Sequence, residues 1–582
     1  MIPECPAGRP LLIWDGRCGF CRIWIDYFRQ RTTGRIDYAA SQDVAHQFPQ
    51  IPSEAFGKSV QLVRPDGTVA SGARAVFETL GLERVYESVP LLAPIGEHAY
   101  RFIASHRDLF YWITRLTFGT NIQPARFARV QWLFLRLLAV IYAIAFASLA
   151  VQVTGLIGAH GIAPVADYLA RVKQAYGTSG YYELPSLFWI AAGNAALQAA
   201  AWAGAALALV LLFGRFERAA LIALWALYLS YTTAGQVFFS YQWDALLLEA
   251  GFLAIFFGRS PAQQKLIAWL YRLLVFRLFF LSGWVKLNSG DPNWPRLTAL
   301  DFHFHTQPLP NLIAWYVDQL PPLVLHASNF GVLAIELAVP FLIFGPTRWR
   351  KAAAWTMLAL QALIFSTGNY TFFNLLTAAL LLFLFDDRDF PSTAGWKPSR
   401  RLPTGALPKL ARVALALAIS IQGLLHILRS PYEIIPAQFM LVNSYGLFAV
   451  MTTTRPEIIL EGSADGEHWL PYEFPYKPGD VLRAPRQAAP HQPRLDWQMW
   501  FAALDDIQSS PWFMGLTEQI LSGSPDVLAL FQSNPFPTAP PRYVRALLYD
   551  YTFTTRSEHA RTGAWWRRTP RGAFLPTTTL RQ

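Results

Sequence analysis

Long apolar segments separated by short basic clusters are the feature that most limits what this chain can fold into. A helix of about 20 apolar residues crosses the hydrocarbon core of a bilayer. The sequence predicts a polytopic α-helical membrane domain of about nine spans, some of them short for a full crossing. The spans lie at about 131–153, 186–213, 219–237, 243–258, 267–287, 327–345, 352–367, 371–386 and 409–428.

Composition agrees with a membrane protein. Of the 582 residues, 53% are hydrophobic and only 15% are charged, which is too apolar for a soluble chain of this length. The net charge of +11 comes from short clusters beside the apolar segments, such as RFER and RWRK. Such clusters are typical of cytoplasmic loops. We therefore expect membrane lipids around the chain and no nucleic-acid partner.

Loop charges also orient the predicted spans. The start MIPECPAGRP has no basic region followed by an apolar one, so we expect no signal peptide and a cytoplasmic N-terminus. The loops rich in Lys and Arg then all lie on the cytoplasmic side. The loop 288–326 and everything after about 429 lie on the opposite side. We expect a bacterial inner membrane with the C-terminal part in the periplasm.

The N-terminal 90 residues contain a cysteine pair. All 3 cysteines of the chain precede residue 22, and a short apolar run ending at Trp14 leads into WDGRCGFC and a helix-forming segment. A strand followed by Cys-x-x-Cys and then a helix is the order typical of thioredoxin-like folds. A thiolate at a helix N-terminus is stabilised by free amides and by the helix dipole. Cys18 is then the attacking thiol and Cys21 the resolving thiol, while Cys5 is incidental.

The same cysteine spacing also fits a zinc half-site or two inert thiols. Zinc needs two further ligands, and His46 and His106 would supply them only by coincidence, so we assign no metal. RIDYAAS and SVQLVRPDGTVAS predict strands, and ARAVFETLGL predicts a closing helix. Residues 91–130 follow with an amphipathic linker helix that lies on the membrane surface or packs on the redox domain.

Residues 1–90 resemble the DCC family of thiol-disulfide oxidoreductases. The Asp-x-x-Cys-x-x-Cys pattern of that family is met by Asp15, Cys18 and Cys21. The resemblance implies a thioredoxin-like α/β domain with reversible thiol chemistry at these three residues. It also implies a cytoplasmic thiol donor or acceptor as partner.

The outer loop, 288–326, differs from a simple connection between spans. GWVKLNSGDPNWPRLTALDFHFHTQPLP begins at the end of an apolar helix and brings Lys, Asp, two His and two Trp close together. Ionisable residues within a membrane often mark a functional site. The candidate membrane-site residues are Lys286, Asp291, His303 and His305.

Three more ionisable residues fall inside predicted spans, where a charge is costly unless it is paired or faces a cavity. At about 1.5 Å per residue, Arg277 lies about 13 Å deeper than Lys286. Glu249 and Glu336 reach similar depths from the same side. We predict an ion pair of Arg277 with one or both glutamates, and an ion or proton pathway is the alternative.

Residues 429–582 predict a small β-rich domain. RPEIILEGSADGEHWLPYEF contains two alternating strands about an ADGE turn, and PPRYVRALLYDYTFTT predicts a third strand. RLDWQMWFAAL and PWFMGLTEQILSG are expected to be helical. Most of Trp497, Trp500, Trp565 and Trp566 are expected in the core, and an exposed subset would suit binding of unfolded clients.

Three long motifs resemble the lipase maturation factor family: KLNSGDPNW…LTALDFHFHTQPLP, IELAVPFLIFG and STGNYTFFNLLTAALLLFLFDD. The similarity covers roughly residues 125 to 575. It implies a membrane protein that assists the folding or maturation of exported client proteins, lipases among them. For such members it implies no established reaction and no required cofactor.

SGWVKLNSGDPNW is also similar to a pattern of the vitamin K-dependent carboxylase-like membrane fold. That similarity implies Lys286 as a catalytic base, in a quinone-linked membrane enzyme that takes electrons from the thiols; a quinone is its candidate cofactor. A lysine partly desolvated at a helix end can act as a base. The competing interpretation is that Lys286 extends to the membrane interface while His303 and His305 hydrogen-bond a packed loop. A deep, polar pocket beside Lys286 would favour the enzyme.

Overall fold

The structure, a computed structural model, describes residues 8–120, 122–123, 125–391 and 409–580. It divides into two compact units, Met1–Ala125 with Gly345–Arg350, and Arg126–Phe344 with Lys351–Gln582. Cys5 and the basic cluster KPSRR lie outside the described residues.

The N-terminal unit is built on a four-stranded sheet with the order β2-β1-β3-β4. Its strands are β1 Leu11–Trp14, β2 Asp37–Ala40, β3 Gln61–Val63 and β4 Val69–Ser71. β1 pairs in parallel with β2, while β1–β3 and β3–β4 are antiparallel. All four residues of β1, LLIW, are buried because this strand is central and covered on both faces. The strands predicted in RIDYAAS and SVQLVRPDGTVAS are confirmed.

Seven helices accompany this sheet in the sequence. They are α1 Gly19–Thr32, α2 Ser41–Val44, α3 Ser53–Lys58, α4 Gly72–Thr79, α5 Glu83–Ser88, α6 Leu92–Ser105 and α7 Arg107–Thr117. Where the sequence predicts one amphipathic linker helix, the structure has two, because the chain leaves helical geometry at His106. The Ser105 hydroxyl donates to the carbonyl of Phe102 at 2.9 Å, and His106 Nδ1 lies 2.9 Å from the same oxygen. Side chains that bond nearby carbonyls compete with helix formation.

The second unit begins with a set of largely apolar helices. They are α8 Ala128–Ala150, α9 Val153–Ile157, α10 Val165–Tyr176, α11 Gly180–Glu183, α12 Asn194–Leu212, α13 Glu217–Ala234, α14 Gln242–Ile255, α15 Pro261–Asn288, α16 Leu300–Thr306, α17 Leu312–Asp318, α18 Pro322–Leu337, α19 Thr347–Thr367, α20 Phe373–Leu380 and α21 Lys409–Ile427. Each of the nine apolar segments contains a helix.

Five helical segments among the described residues are long and apolar enough to cross a membrane. They are Ala128–Ala150, Asn194–Leu212, Pro261–Asn288, Pro322–Phe344 and Leu410–Ile427. The other four predicted spans coincide with α13, α14, α19 and α20, which are shorter or carry more polar residues. A multi-pass helical membrane protein is therefore established, while the full count of nine crossings rests on the sequence.

The C-terminal part contains a second four-stranded sheet, with the order β6-β5-β7-β8 and antiparallel pairing throughout. The elements are β5 Arg455–Ser463, β6 Leu470–Pro471, α22 Arg494–Ala503, α23 Trp512–Leu521, α24 Pro525–Leu528, β7 Tyr543–Phe553, α25 Arg556–Thr562 and β8 Trp566–Thr578. The ADGE hairpin, the third strand and the two helices are confirmed. The sequence does not predict β8, because WRRTPRGAFLPTT lacks clean alternation and contains two prolines.

Buried polar contacts join this C-terminal part to the helices. The short helix α14 carries two carboxylates, Asp244 and Glu249, and both are 0% exposed. Asp244 accepts hydrogen bonds from the two terminal nitrogens of Arg494 on α22, at 2.9 and 3.0 Å. Glu249 accepts from the backbone N–H of Asn443 at 2.9 Å and from the Tyr445 hydroxyl at 2.8 Å. The two parts consequently belong to one compact unit.

Glu249 is also one member of a predicted ion pair. Arg277 on α15 forms a buried ion pair with Glu249, and its other terminal nitrogen donates to the carbonyl of Asn443 at 2.9 Å. Glu336, the second partner offered by the sequence, contacts Lys286 instead. α18 can pack closely against α15 there because Gly283 has no side chain; an added Cβ would clash with the Cβ of Glu336.

Replacing Arg277 by Met should destabilise the protein strongly, because Glu249 would lose its counter-ion in a buried setting. Breaking a buried pair in this way costs about 3–5 kcal/mol. We expect a lower level of protein in membranes and a lower thermal-unfolding temperature in detergent, with partial recovery when Glu249→Gln is added. Arg296→Met is the control, since Arg296 is exposed. Equal stability of the Arg277 and Arg296 variants would contradict a structural role for the pair.

Candidate functional site

The predicted cysteine pair lies at the start of α1. Cys18 is the N-cap of the helix, Cys21 is in its first turn, and the two form a disulfide with their Cα atoms 5.2 Å apart. Cys18 Sγ also accepts a hydrogen bond from the backbone N–H of Cys21 at 3.1 Å. Free N–H groups at a helix start favour negative charge on the capping atom. The arrangement suits Cys18 as the sulfur that carries the thiolate when the bond is open.

Asp15 lies close to this pair. One of its carboxylate oxygens accepts from the N–H of Arg17 and from the side-chain amide of Gln42, each at 3.1 Å. The other lies 3.5 Å from a terminal nitrogen of Arg107 on α7. Sequence reasoning missed Arg107, which is 92 residues away in the chain and belongs to no motif.

Asp15, Cys21, Tyr100 and Arg107 line a small cavity of about 40 Å³. A volume of this size has room for a water molecule or a small polar group. Asp15 and Cys21 therefore border the same small space.

A much larger cavity lies among α15, α16, α18, α19 and α20; it is here called the intramembrane cavity because α15 and α18 belong to segments long and apolar enough to cross a membrane. Its volume is about 470 Å³, and most of its lining is aliphatic or aromatic. Of the candidate membrane-site residues, Lys286 and His303 line it, together with Glu336. Asp291 and His305 are not among the described residues that line it.

Lys286 is buried and fully engaged. Its ammonium donates to both carboxylate oxygens of Glu336, at 2.8 and 2.7 Å, and lies 3.3 Å from the carbonyl of Ser282. The ring of Trp294 is 5.1 Å away and adds a cation–π contact. The expectation that Lys286 extends to the interface is wrong, because Glu336 satisfies its charge inside the protein. Because its ammonium is bonded to Glu336, Lys286 is also not a free base in this arrangement.

His303 belongs to a short hydrogen-bond chain. The Gln307 amide donates to the carbonyls of Phe304 and Thr367, so its oxygen faces Tyr370 and accepts the Tyr370 hydroxyl at 2.8 Å. His303 Nε2, 3.2 Å from the same hydroxyl oxygen, must then donate to it. Burial, with Lys286 and His305 nearby, lowers the pKa of His303 to about 4. The ring is therefore neutral at pH 7, with Nδ1 as an acceptor.

Asp291 and His305 hold the outer loop. Asp291 accepts from the backbone N–H of Asn293 at 3.0 Å and from that of Met451 at 2.7 Å. His305 Nδ1 lies 2.8 Å from a carboxylate oxygen of Asp318. Both contacts stabilise the packed outer loop. Asp291 and His305 therefore differ from Lys286 and His303, which line the cavity.

The four tryptophans considered above, Trp497, Trp500, Trp565 and Trp566, do not form an exposed patch. Trp497, Trp500 and Trp566 are buried, and Trp565 is half-buried beside Trp315. Their expected place in the core is confirmed. The idea of an exposed aromatic subset that binds clients finds no support in these four residues.

The apolar helices and the N-terminal cysteine pair define a multi-pass membrane protein with an attached thiol module, and comparison with known proteins agrees. The family model described as the lipase maturation factor transmembrane domain matches residues 129–392, and that of the lipase maturation factor C-terminal domain matches 441–576. The model described as DCC1-like thiol-disulfide oxidoreductase matches 12–112.

Curated relatives give the same result. Lipase maturation factor 2 of Mus musculus is 35% identical in an alignment that covers 77% of this chain and 83% of the relative. Lipase maturation factor 1 of Mus musculus is 31% identical over 521 residues, which cover 81% of this chain and 88% of the relative. The chain belongs to the lipase maturation factor family. No solved structure matches it, and these matches give no support to the carboxylase-like alternative.

The pair of Lys286 and Glu336 can be tested by a double-mutant cycle. Glu336→Gln and Lys286→Met should each cost about 3–5 kcal/mol, because each leaves one buried charge without its partner. The double variant Lys286→Met/Glu336→Gln removes both charges and should unfold closer to the wild-type temperature in detergent. If the double variant loses as much as the two single variants added together, the two residues act independently and the pairing is wrong.

Proposed function

We propose that this protein assists the maturation of exported lipases from within the membrane. The observation that carries the proposal is the family match over both the helical region and the C-terminal region. In the structure these regions form one compact unit, joined by Asp244–Arg494 and by the contacts of Glu249 with Asn443 and Tyr445. A rigid connection of this kind would hold a C-terminal client-binding region at a fixed position against the bilayer.

The N-terminal module is proposed to be a thiol-disulfide oxidoreductase with a thioredoxin-like fold. The match to the DCC1-like family and the position of Cys18 at the start of α1 support this. When the module reduces a partner, the Cys18 thiolate attacks the disulfide of that partner and releases one partner thiolate. The Cys21 thiolate then attacks the Cys18 sulfur and releases the second, so two electrons pass to the partner and the Cys18–Cys21 disulfide forms. Asp15 is proposed to take the proton of Cys21.

We propose that the thiol module and the maturation function are separate tasks. All 3 cysteines precede residue 22, and thiol exchange requires direct contact of sulfur atoms. The helical and C-terminal regions therefore have no cysteine with which to pass electrons to a client. A cytoplasmic thiol compound or protein is the partner that this arrangement favours.

The proposed orientation follows the loop charges. Residues before about 130 lie in the cytoplasm, nine helices cross a bacterial inner membrane, and residues after about 430 lie in the periplasm. Basic loops on one side support the direction, and the helices found in all nine apolar segments support the number.

Changing both Cys18 and Cys21 to Ser tests the separation of tasks. We expect maturation of a secreted lipase in intact cells to stay unchanged, because the client has no route to these thiols. Cys21→Ser alone should trap a mixed disulfide through Cys18, and Cys18→Ser should abolish it; non-reducing gels show both. Loss of lipase maturation in the double variant, at normal protein level and membrane insertion, would show that the thiols serve the client.

Reporter fusions test the orientation. A reporter active only in the periplasm should be inactive when fused after residue 120 and active when fused after residue 440. A reporter active only in the cytoplasm should give the opposite pattern, because an odd number of crossings separates the two points. The same readout at both positions would exclude nine spans.

A further inference from the structure

We propose that the intramembrane cavity binds one uncharged lipid, with a long aliphatic chain and a hydroxyl-bearing head, taken up sideways from the bilayer. The proposal concerns a binding site and does not depend on the client of the protein.

The size and lining of the cavity suit an aliphatic chain. Its volume of about 470 Å³ lies within the range of about 300–1,000 Å³ typical of small-molecule sites. Phe279, Leu278 and Leu300 form part of one wall, and Val332, Ile335 and Ile364 form part of another. Surfaces of this kind gain free energy when an aliphatic chain covers them.

The cavity has its mouth between α18 and α19. Ser328 on α18 and Leu363 on α19 both line the cavity and are exposed, Leu363 to 64%. Residues that do both must lie at an opening. The surface beside it carries Leu323 and Phe330, exposed to 79% and 62%, on a segment long and apolar enough to span a membrane. The opening thus faces lipid, and a lipid can enter without crossing water.

The charges on the wall select an uncharged lipid. Lys286, Glu336, His303 and Tyr370 are the titratable groups among the described lining residues. Lys286 and Glu336 neutralise each other through two hydrogen bonds, and His303 is neutral at pH 7. A phosphate or carboxylate in the cavity would find no free positive charge among these residues, and a buried charge without a partner is costly.

Polar groups on the cavity wall favour a hydroxyl. Asn374 donates to the side-chain oxygen of Gln361 at 2.8 Å, and both residues line the cavity. Within the described part of the chain, Asn374 Oδ1 and His303 Nδ1 are buried acceptors without a hydrogen-bond partner. Leaving a buried acceptor unpaired is unfavourable. Both residues line the cavity, so a small side-chain adjustment would let a lipid hydroxyl bring the missing donor to either acceptor.

Gly331 offers a way to fill the cavity with little disturbance. It lines the cavity, and a Cβ added there would meet nothing within 4 Å. Gly331→Trp therefore places a large ring in the space proposed for the lipid, and Gly331→Leu is a smaller second variant. Phe330→Trp is the matched control, because Phe330 is the next residue and does not line the cavity.

The test uses the full chain in phosphatidylcholine nanodiscs that contain a photoreactive monoacylglycerol with a diazirine in its acyl chain. After illumination, mass spectrometry should find the label on α15 and α18 peptides, and unlabelled monoacylglycerol should compete with it. Gly331→Trp should reduce this labelling about tenfold, Gly331→Leu should reduce it less, and Phe330→Trp should leave it unchanged. Thermal unfolding in detergent shows whether each variant is folded.

Three results would overturn the proposal. One is labelling that unlabelled lipid does not compete away, since this indicates only general contact with the bilayer. Another is equal labelling of folded Gly331→Trp or Gly331→Leu and the wild-type protein. The third is equal or stronger competable labelling by a photoreactive fatty acid anion or lysophosphatidic acid, which would show that the cavity accepts a charged head.

Discussion

The need to pair every charge buried among the helices governs how the second unit is assembled. α14 carries two carboxylates, Asp244 and Glu249, on a helix of 14 residues that is otherwise nearly all apolar. A charge in such a place is tolerated only with a partner. One partner, Arg277, lies on the next helix, α15, and the other, Arg494 on α22, is 250 residues away in the chain. Pairing these charges therefore also fixes where the C-terminal part docks.

The same rule explains why the intramembrane cavity can exist. Lys286 and Glu336 meet where Gly283 lets α15 and α18 approach closely. Both residues form part of the cavity wall, and their opposite charges cancel because two hydrogen bonds hold them together. An unpaired lysine would have drawn water or an anion into the space, whereas the pair leaves a mainly apolar cavity between membrane-facing helices.

Local signals in the sequence are enough to predict much of the fold. Apolar length predicts the helices, alternation and the ADGE turn predict β5 and β6, and the cysteine spacing predicts the start of α1. The depth of Arg277 also identifies Glu249 as one of its two candidate partners. Each of these features depends on residues that are close in the chain or on a simple count along a helix.

Most of the failures involve contacts between distant segments. Depth alone gives Arg277 two glutamates, and only the packing of α18 on α15 assigns Glu336 to Lys286. The break at His106 depends on side-chain bonds to one carbonyl. Arg107 meets Asp15 only after the N-terminal unit has folded. Lys286 and His303 line the cavity, whereas Asp291 and His305 hold the loop. This difference also depends on three-dimensional packing, which a single sequence does not specify.

One loop serves both the cavity and the C-terminal sheet. Arg455, in β5, donates to the backbone carbonyls of His305, Gln307 and Pro308. The Gln307 side chain bonds Tyr370, which in turn bonds His303 on the cavity wall. These contacts run without a gap from the sheet to the cavity. Contact alone does not establish energetic coupling between two sites. It does mean that a ligand that shifts His303 must either strain this chain of hydrogen bonds or move the loop on which β5 rests.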